Sequence, residues 1–182
     1  AGAGAIAGGL QGGVGTASIR LANGVVVSAL AVVNSAGSVI DPATALPWEA
    51  SGMPLHRADR HDRTRLREVL GADHLPLNTT IGVVATSLAL DKAECTKFAG
   101  VAHDGLARAV RPAHSMFDGD AIFALSTGSA LPPGSVRPAG SSPSPRERSI
   151  ELNAVFEAGA QCFATASTRA VVVARSLRGG PP

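Results

Sequence analysis

The sequence predicts an α/β fold, a mixed β-sheet layered with helices. Three observations carry this. The segments run in the order hairpin, strand, helix, strand, helix. The strand segments are apolar on both faces, as strands covered by other layers are. The 182 residues suit one domain, 45% of them hydrophobic and only 3% aromatic, so a core of Ala, Val, Leu and Ile must be built by close backbone approach.

The hairpin is read from Thr16–Leu21 and Val25–Val33 around Asn23-Gly24, because Asn-Gly between two apolar runs is a strong hairpin signal. The second strand should be central and covered on both sides. It ends at the turn Asn34-Ser-Ala-Gly37, and Val39-Ile40 could resume a short strand before Asp41-Pro42. Residues 49–78 differ in texture, with Arg57, Asp59, Arg60, Asp62, Arg63, Arg65, Arg67 and Glu68 crowded together. They read as a solvated linker with a short surface helix around 59–70. A nucleic-acid patch at 57–67 is the sharper alternative, which the interleaved acids weaken. Thr80–Thr86 reads as a buried strand. Asp91–Val110 reads as a helix, since Cys95, Phe98, Ala99, Ala102, Leu106 and Val110 recur at three- and four-residue steps before Pro112. Gly100 and Gly105 each cost it roughly 1 kcal/mol, tolerable where the helix presses on a sheet. Ala121–Ser126 is another strand. Residues 127–147, with five Pro, three Gly and five Ser, read as a surface loop. A long Ala-rich helical pattern runs from Ser149 to about Leu177, followed by a loose tail, 178–182.

Composition excludes several function classes. Charged residues are 16%, below the ~25% of average domains. The net charge of +2 implies no nucleic-acid partner by itself, and with no Tyr and one Trp stacking platforms are not expected. No apolar run reaches the ~18 residues of a membrane span. Cys95 and Cys162 give neither a disulfide framework nor a zinc pattern, which fits the reducing cytoplasm. The opening Ala1–Leu10 lacks the basic and apolar regions of a signal peptide. It begins without Met inside a glycine-rich stretch, and the chain reads as a fragment or a processed piece.

Chemistry is concentrated in a few places. Asn78-Thr79 stands where the polar linker meets a buried strand. It is either a turn residue before β-branched strand formers, or a self-cleaving peptide bond in which the Thr79 hydroxyl attacks the Asn78 carbonyl. Cleavage would leave Thr79 with a hydroxyl nucleophile and an α-amine of reference pKa ~7.7–8.0 on one residue, one of the known ways to activate a weak hydroxyl. Asp118-Gly119-Asp120 is either a solvated turn or a pair of carboxylates holding the Thr79 hydroxyl and ammonium. A calcium loop would need more oxygen ligands. His103 and His114 lack a third metal partner and read as a helix-face and a loop histidine in structural hydrogen bonds. Gly12-Gly-Val-Gly-Thr-Ala-Ser18 is followed by a strand, matches neither a dinucleotide fingerprint nor a P-loop, and reads as a tight turn or close backbone packing. Asn34 is a turn residue or an amide donor to a developing oxyanion.

Taken in order, Gly12–Ser18, Ala31-Val-Val-Asn34, Asp41-Pro-Ala-Thr44, Leu46-Pro-Trp48, Asn78–Thr86, Ala102-His-Asp-Gly-Leu-Ala-Arg108, Arg111-Pro-Ala-His114 and Phe117-Asp-Gly-Asp120 resemble the L-aminopeptidase/D-esterase (DmpA-type) family of self-processing peptidases. That family includes β-aminopeptidases, a pantetheine-amide hydrolase and the aminohexanoate-oligomer (nylon) hydrolases. Asn78-Thr-Thr-Ile-Gly82 is similar to its threonine-nucleophile branch. The resemblance implies a layered α/β/β/α sandwich, similar to that of N-terminal-nucleophile hydrolases but with different connectivity. It implies a single domain, 1–182, which self-cleavage divides into chains 1–78 and 79–182. Thr79 would be the nucleophile, Asn34 the oxyanion donor, and Asp118 and Asp120 the groups that orient the nucleophile. The implied activity is hydrolysis of short peptides, amino-acid amides or linear ω-amino-acid oligomers through an acyl-enzyme. No metal or organic cofactor would be needed, and a homo-oligomer is expected.

Three departures stand out. Family members carry well over a hundred residues before the glycine-rich segment, commonly have Lys where Gln11 stands, and commonly have Asp where Ser87 stands. The rival expectation is therefore a truncated, catalytically inactive remnant that acts only as a structural or partner-binding domain.

Overall fold

The structure, a computed structural model, describes residues 2–50, 52–53, 58–71, 78–129 and 143–175. Readings that fall on 54–57, 72–77, 130–142 and 176–182 lie outside the described residues. These are parts of the linker and the Pro-rich loop, the last residues of the final helical pattern, and the tail.

The chain opens with two short paired strands that the sequence reading missed, β1 (Ile6–Ala7) and β2 (Leu10–Gln11). Four strands then form the main sheet: β3 (Gly13–Arg20), β4 (Val26–Asn34), β5 (Thr79–Thr86) and β6 (Ala121–Ser126), side by side in that order. β3–β4 and β4–β5 pair antiparallel and β5–β6 parallel, so the sheet is mixed, as expected. In the hairpin turn only Gly24 takes a positive φ, at 83°, while the Asn23 side chain accepts the Val25 N–H. Val39-Ile40 forms no strand. Ile40 makes an isolated bridge to Pro47, and the neighbouring Ser38 bridges to Arg111.

A parallel β5–β6 pair needs a crossover, and the helix α2 (Lys92–Ala109) supplies it. A reciprocal capping box between Asp91 and Glu94 fixes its start. The charged stretch yields α1 (Arg60–Leu70), capped by Asp59 and without a buried residue, as a solvated surface helix should be. The last helix, α3 (Pro145–Val172), starts four residues before the reading placed it. Ser144, Pro145 and Glu147 make a capping box with proline in the first turn, a start signal embedded in residues that read as loop.

Both long helices lie against one face of the sheet, α3 on β3 and β4 and α2 chiefly on β6, and they pack on each other. Val27, Ala29, Ala31, Val33, Val84 and Ile122 from the strands meet Phe98, Leu106, Val155 and Phe163 from the helices in one core. Small residues let the backbones approach: a side chain at Gly15 would collide with the backbone of Ala166 and Ala170 in α3. The glycine-rich segment is thus a close-packed strand rather than a ligand cradle. Gly105 serves the α2–α3 contact rather than a sheet, and Gly100 faces open space.

The opposite face of the sheet is uncovered among the described residues. Leu30, Ile81, Phe123 and Leu125 project from it with 38%, 50%, 64% and 57% of their surfaces exposed. The central strand β4 is therefore covered on one side here, where the sequence predicted two. The α/β expectation holds, and the described residues supply one sheet and its helix layer.

Candidate active site

β-strand parity sets the site. Asn34 and Thr79 are direct partners at the end of the antiparallel β4–β5 ladder. Thr79 alternates with Ile81 and Val83, and Asn34 with Val32 and Leu30, so both side chains belong to the uncovered face. Asn78, just before the strand, bridges to Asp118.

The turn Asp118-Gly119-Asp120 grips the Asn78–Thr79 peptide from both sides. The Thr79 hydroxyl donates to the Gly119 carbonyl at 2.7 Å, and the Gly119 N–H donates to the Asn78 carbonyl at 3.2 Å. One residue later the Thr80 N–H donates to Asp120 Oδ1 at 2.7 Å. Asp118 ties the turn to the end of β4: its Oδ1 accepts the Ala36 N–H at 3.0 Å and its Oδ2 accepts the Ser115 hydroxyl at 2.5 Å. Asn34 Oδ1 accepts the Ile6 N–H at 2.9 Å, which fixes the plane of its amide. Asn34, Asn78, Thr79, Asp118 and Asp120 therefore lie in one place. Neither carboxylate holds the Thr79 hydroxyl, which is held by the Gly119 carbonyl: Asp120 reaches the Thr80 N–H, and Asp118 reaches Ala36 and Ser115.

Sequence reading missed the most direct partner, Gly119, because its contacts are made by backbone atoms that carry no side-chain signature. It also missed Ser115 and the contact between His114 and Asp120, where Nδ1 lies 2.8 Å from Oδ2. A histidine six residues before an acid is a weak signal, and a left-handed turn at His114 (φ 54°) makes the contact possible. His103, on α2, packs against His114 with ring centroids 5.0 Å apart and the planes tilted by 51°. Burial and then the neighbouring His114 push the His103 imidazole below its ordinary 6.5. No group of three or more metal-ligating side chains is found among the described residues.

Gln11 and Ser87, set apart in the resemblance above, both have structural work. The Gln11 amide, 7% exposed, donates to the carbonyls of Ala5 and Gly12 at 3.0 and 3.1 Å, knitting β2 to the opening segment. Ser87 accepts the Val26 N–H at 2.9 Å. It follows the last residue of β5, at the opposite end of that strand from Thr79, so its substitution does not touch this site. No helix among the described residues is long and apolar enough to cross a membrane.

Comparison with known proteins gives consistent matches. The family model described as peptidase family S58 matches residues 1–181. An uncharacterized aminopeptidase of Mycobacterium tuberculosis is 48% identical over 182 residues, covering 96% of this chain and 52% of the relative. A 6-aminohexanoate-oligomer endohydrolase of Kocuria sp. is 31% identical over 125 residues, covering 63% and 33%. Among solved structures, a β-aminopeptidase of Burkholderia sp. superposes with a TM-score of 0.65 at 27% identity, over 99% of this chain and 48% of that one. The L-aminopeptidase D-Ala-esterase/amidase of Ochrobactrum anthropi, described as a variant of the Ntn hydrolase fold, superposes with a TM-score of 0.63 at 22% identity, over 97% and 44%. The chain thus shares the fold of these aminopeptidases and spans about half the length of the M. tuberculosis relative.

Proposed function

This chain belongs to peptidase family S58, and from that premise we propose that it carries the nucleophile of a self-processing amide hydrolase. The observation that supports this reading best is the double grip of Gly119. Its carbonyl orients the Thr79 hydroxyl, and its N–H faces the oxygen that becomes negative when that hydroxyl attacks the Asn78 carbonyl.

The steps follow. Thr79 Oγ1 bonds to the Asn78 carbonyl carbon, and the Gly119 N–H stabilises the oxyanion. The C–N bond breaks, the Thr79 nitrogen takes the hydroxyl proton, and an ester joins Asn78 to Thr79. Water then attacks the ester, releasing Asn78 as a carboxylate and Thr79 with both hydroxyl and amine free. In turnover, the amine takes the hydroxyl proton as Oγ1 attacks a substrate amide, and returns it to the leaving amine. A second water then frees the acyl group. In this reading Asn34, directly across from Thr79, donates to the substrate oxyanion, Asp120 holds the Thr80 N–H beside the nucleophile, and Asp118 anchors the turn that carries Gly119. The proposed substrates are short peptides, amino-acid amides and linear ω-amino-acid oligomers, a class supported by the names of the Mycobacterium and Kocuria relatives. Two polypeptides, 1–78 and 79–182, would remain associated through the β4–β5 ladder, and assembly as a homo-oligomer belongs to the same proposal.

A second reading has one observation in its favour. The exposed apolar face around Leu30, Ile81, Phe123 and Leu125 would suit an inactive domain that serves only to bind a partner. Denaturing mass analysis separates the two. Two species split between Asn78 and Thr79, reduced to one by Thr79→Ala, support the hydrolase. A species that never splits and hydrolyses no amide supports the binding domain, and splitting that survives Thr79→Ala removes Thr79 as nucleophile.

A further inference from the structure

Outside the Thr79 contacts, one arrangement is unexplained by the chemistry above. The Asp120 side chain is 5% exposed, yet only one of its oxygens serves β5. The other oxygen lies 2.8 Å from His114 Nδ1. A carboxylate oxygen accepts, so the imidazole donates its Nδ1–H and its tautomer is set. His114 holds this position at the cost of a left-handed backbone, φ 54°, a conformation that non-glycine residues rarely adopt and that surrounding structure must impose. The surroundings do impose it. Three residues earlier, Arg111 exchanges both backbone hydrogen bonds with Ser38, and its guanidinium lies 4.4 Å over the Trp48 ring. On the far side the His103 ring backs His114.

We propose that His114 is a positioning residue for the Thr79 reaction: its Nδ1–H locks the Asp120 carboxylate in the orientation that holds the Thr80 N–H and so fixes the first peptide of β5 beneath the nucleophile. The inference deepens the Thr79 reading and rests on it for its kinetic arm. His114 meets Asp120 from its own loop and the His103 ring from α2, and Asp104 acts on His103. Burial keeps the His103 imidazole from taking a proton readily. The bond from the His114 Nδ1–H to the Asp120 carboxylate is charge-assisted, and it reaches the Thr80 amide through the other carboxylate oxygen.

The test uses two variants of the intact protein. His114→Ala removes the donor. His114→Asn keeps a donor at the Nδ1 position and tolerates the left-handed backbone. His114→Ala is expected to slow cleavage at Asn78–Thr79 roughly ten- to hundred-fold, the scale of an ångström misplacement, and His114→Asn to restore it to within a few-fold. Independently of cleavage, in a Thr79→Ala background, the Thr80 amide should lose hydrogen-exchange protection in His114→Ala and keep it in His114→Asn. Wild-type cleavage in His114→Ala overturns the proposal, as does equal slowing in both variants. Thr80 protection that is unchanged in His114→Ala overturns it too. If His114→Ala does not fold, the His114→Asn results decide alone. If the wild-type chain does not cleave, the Thr79 reading fails by itself and the amide arm still decides for or against His114.

Discussion

Asn34 and Thr79 face each other as Cα partners at the last rung of the β4–β5 ladder, and this places an amide beside a hydroxyl with no loop between them. The Asn34 amide has two ends with separable uses. Oδ1 accepts the Ile6 N–H, which is structural, and the amide N–H₂ is the donor assigned to the oxyanion. Asn34→Asp keeps the acceptor and removes the donor, whereas Asn34→Ala removes both. Both variants should lower amide hydrolysis about 10²–10³-fold, the scale of one lost oxyanion donor. Only Asn34→Ala should lose an additional ~1 kcal/mol of stability, from the Ile6 N–H left without its acceptor. Initial rates and urea midpoints give both numbers, and an Asn34→Asp protein that hydrolyses at the wild-type rate would remove the amide from the mechanism.

Asp118 joins three segments: the end of β4 through Ala36, its own loop through Ser115, and the Asn78 bridge. Asp118→Ala leaves the Ala36 N–H and the Ser115 hydroxyl without their acceptor. Hydrogen bonds to a charged group contribute about 1.5–3 kcal/mol, so a loss of roughly 2 kcal/mol is expected, together with slower cleavage at Asn78–Thr79. Asp118→Asn retains one accepting oxygen and should lose about half as much. An unchanged urea midpoint in Asp118→Ala would show that the turn is held by other contacts.

Much of this was legible in the sequence, and the exceptions share physical causes. Asn23-Gly24 announced the hairpin, β6 falls on the residues read for it, and the period of Phe98, Ala102 and Leu106 placed α2 to within a residue. β1 and β2 have two residues each, too short for any periodicity. The start of α3 was written in Ser144, Pro145 and Glu147, but proline and serine weigh toward loop when composition is averaged over a window. Strands apolar on both faces were read as covered on both sides, whereas the described residues cover one face of β4, because an apolar run does not say what lies against each face.

At the site, the side chains were legible and their connections were not. Thr79, Asn34, Asp118 and Asp120 stood out as reactive residue types at element ends with a turn reading open at each, and the resemblance to the peptidase family gave them their expected roles. Gly119 could not, because a backbone N–H and C=O look the same at every residue. Nor could the His114–Asp120 contact, which depends on one left-handed residue in a loop.

The two glycines of α2 should respond with opposite signs. Gly100 is exposed with nothing near the position of an added methyl, so Gly100→Ala should stabilise by up to ~1 kcal/mol through helix propensity alone. At Gly105 the same methyl meets the Ala160 backbone of α3. Backbone cannot swing aside, and overpacking of this kind costs about 1–3 kcal/mol. Thermal midpoints of the two variants should therefore move apart. A Gly105→Ala protein as stable as wild type would mean that α2 and α3 can separate freely.

The pH dependence of stability should carry the mark of one ion pair far from Thr79. Arg148, near the start of α3, donates through Nε and Nη2 to the two oxygens of Glu94 at 2.9 and 2.6 Å, and through Nη1 to Glu151 at 3.0 Å. Glu94 is also the capping residue that closes the first turn of α2, so the pair staples the starts of both long helices. The hydrogen bonds from Arg148 hold the Glu94 carboxyl below its ordinary 4.5. A carboxyl depressed in the folded state contributes stability that is complete above the unfolded value and lost as pH falls through the folded one. Both side chains are partly exposed, so the contribution stays near that of a good surface pair, about 1 kcal/mol. Glu94→Gln should thus lower the urea midpoint at neutral pH, and the gap to wild type should close as the pH falls below about 4. A gap that stayed constant down to about pH 3 would locate the effect in helix capping or packing rather than in the charge on Glu94.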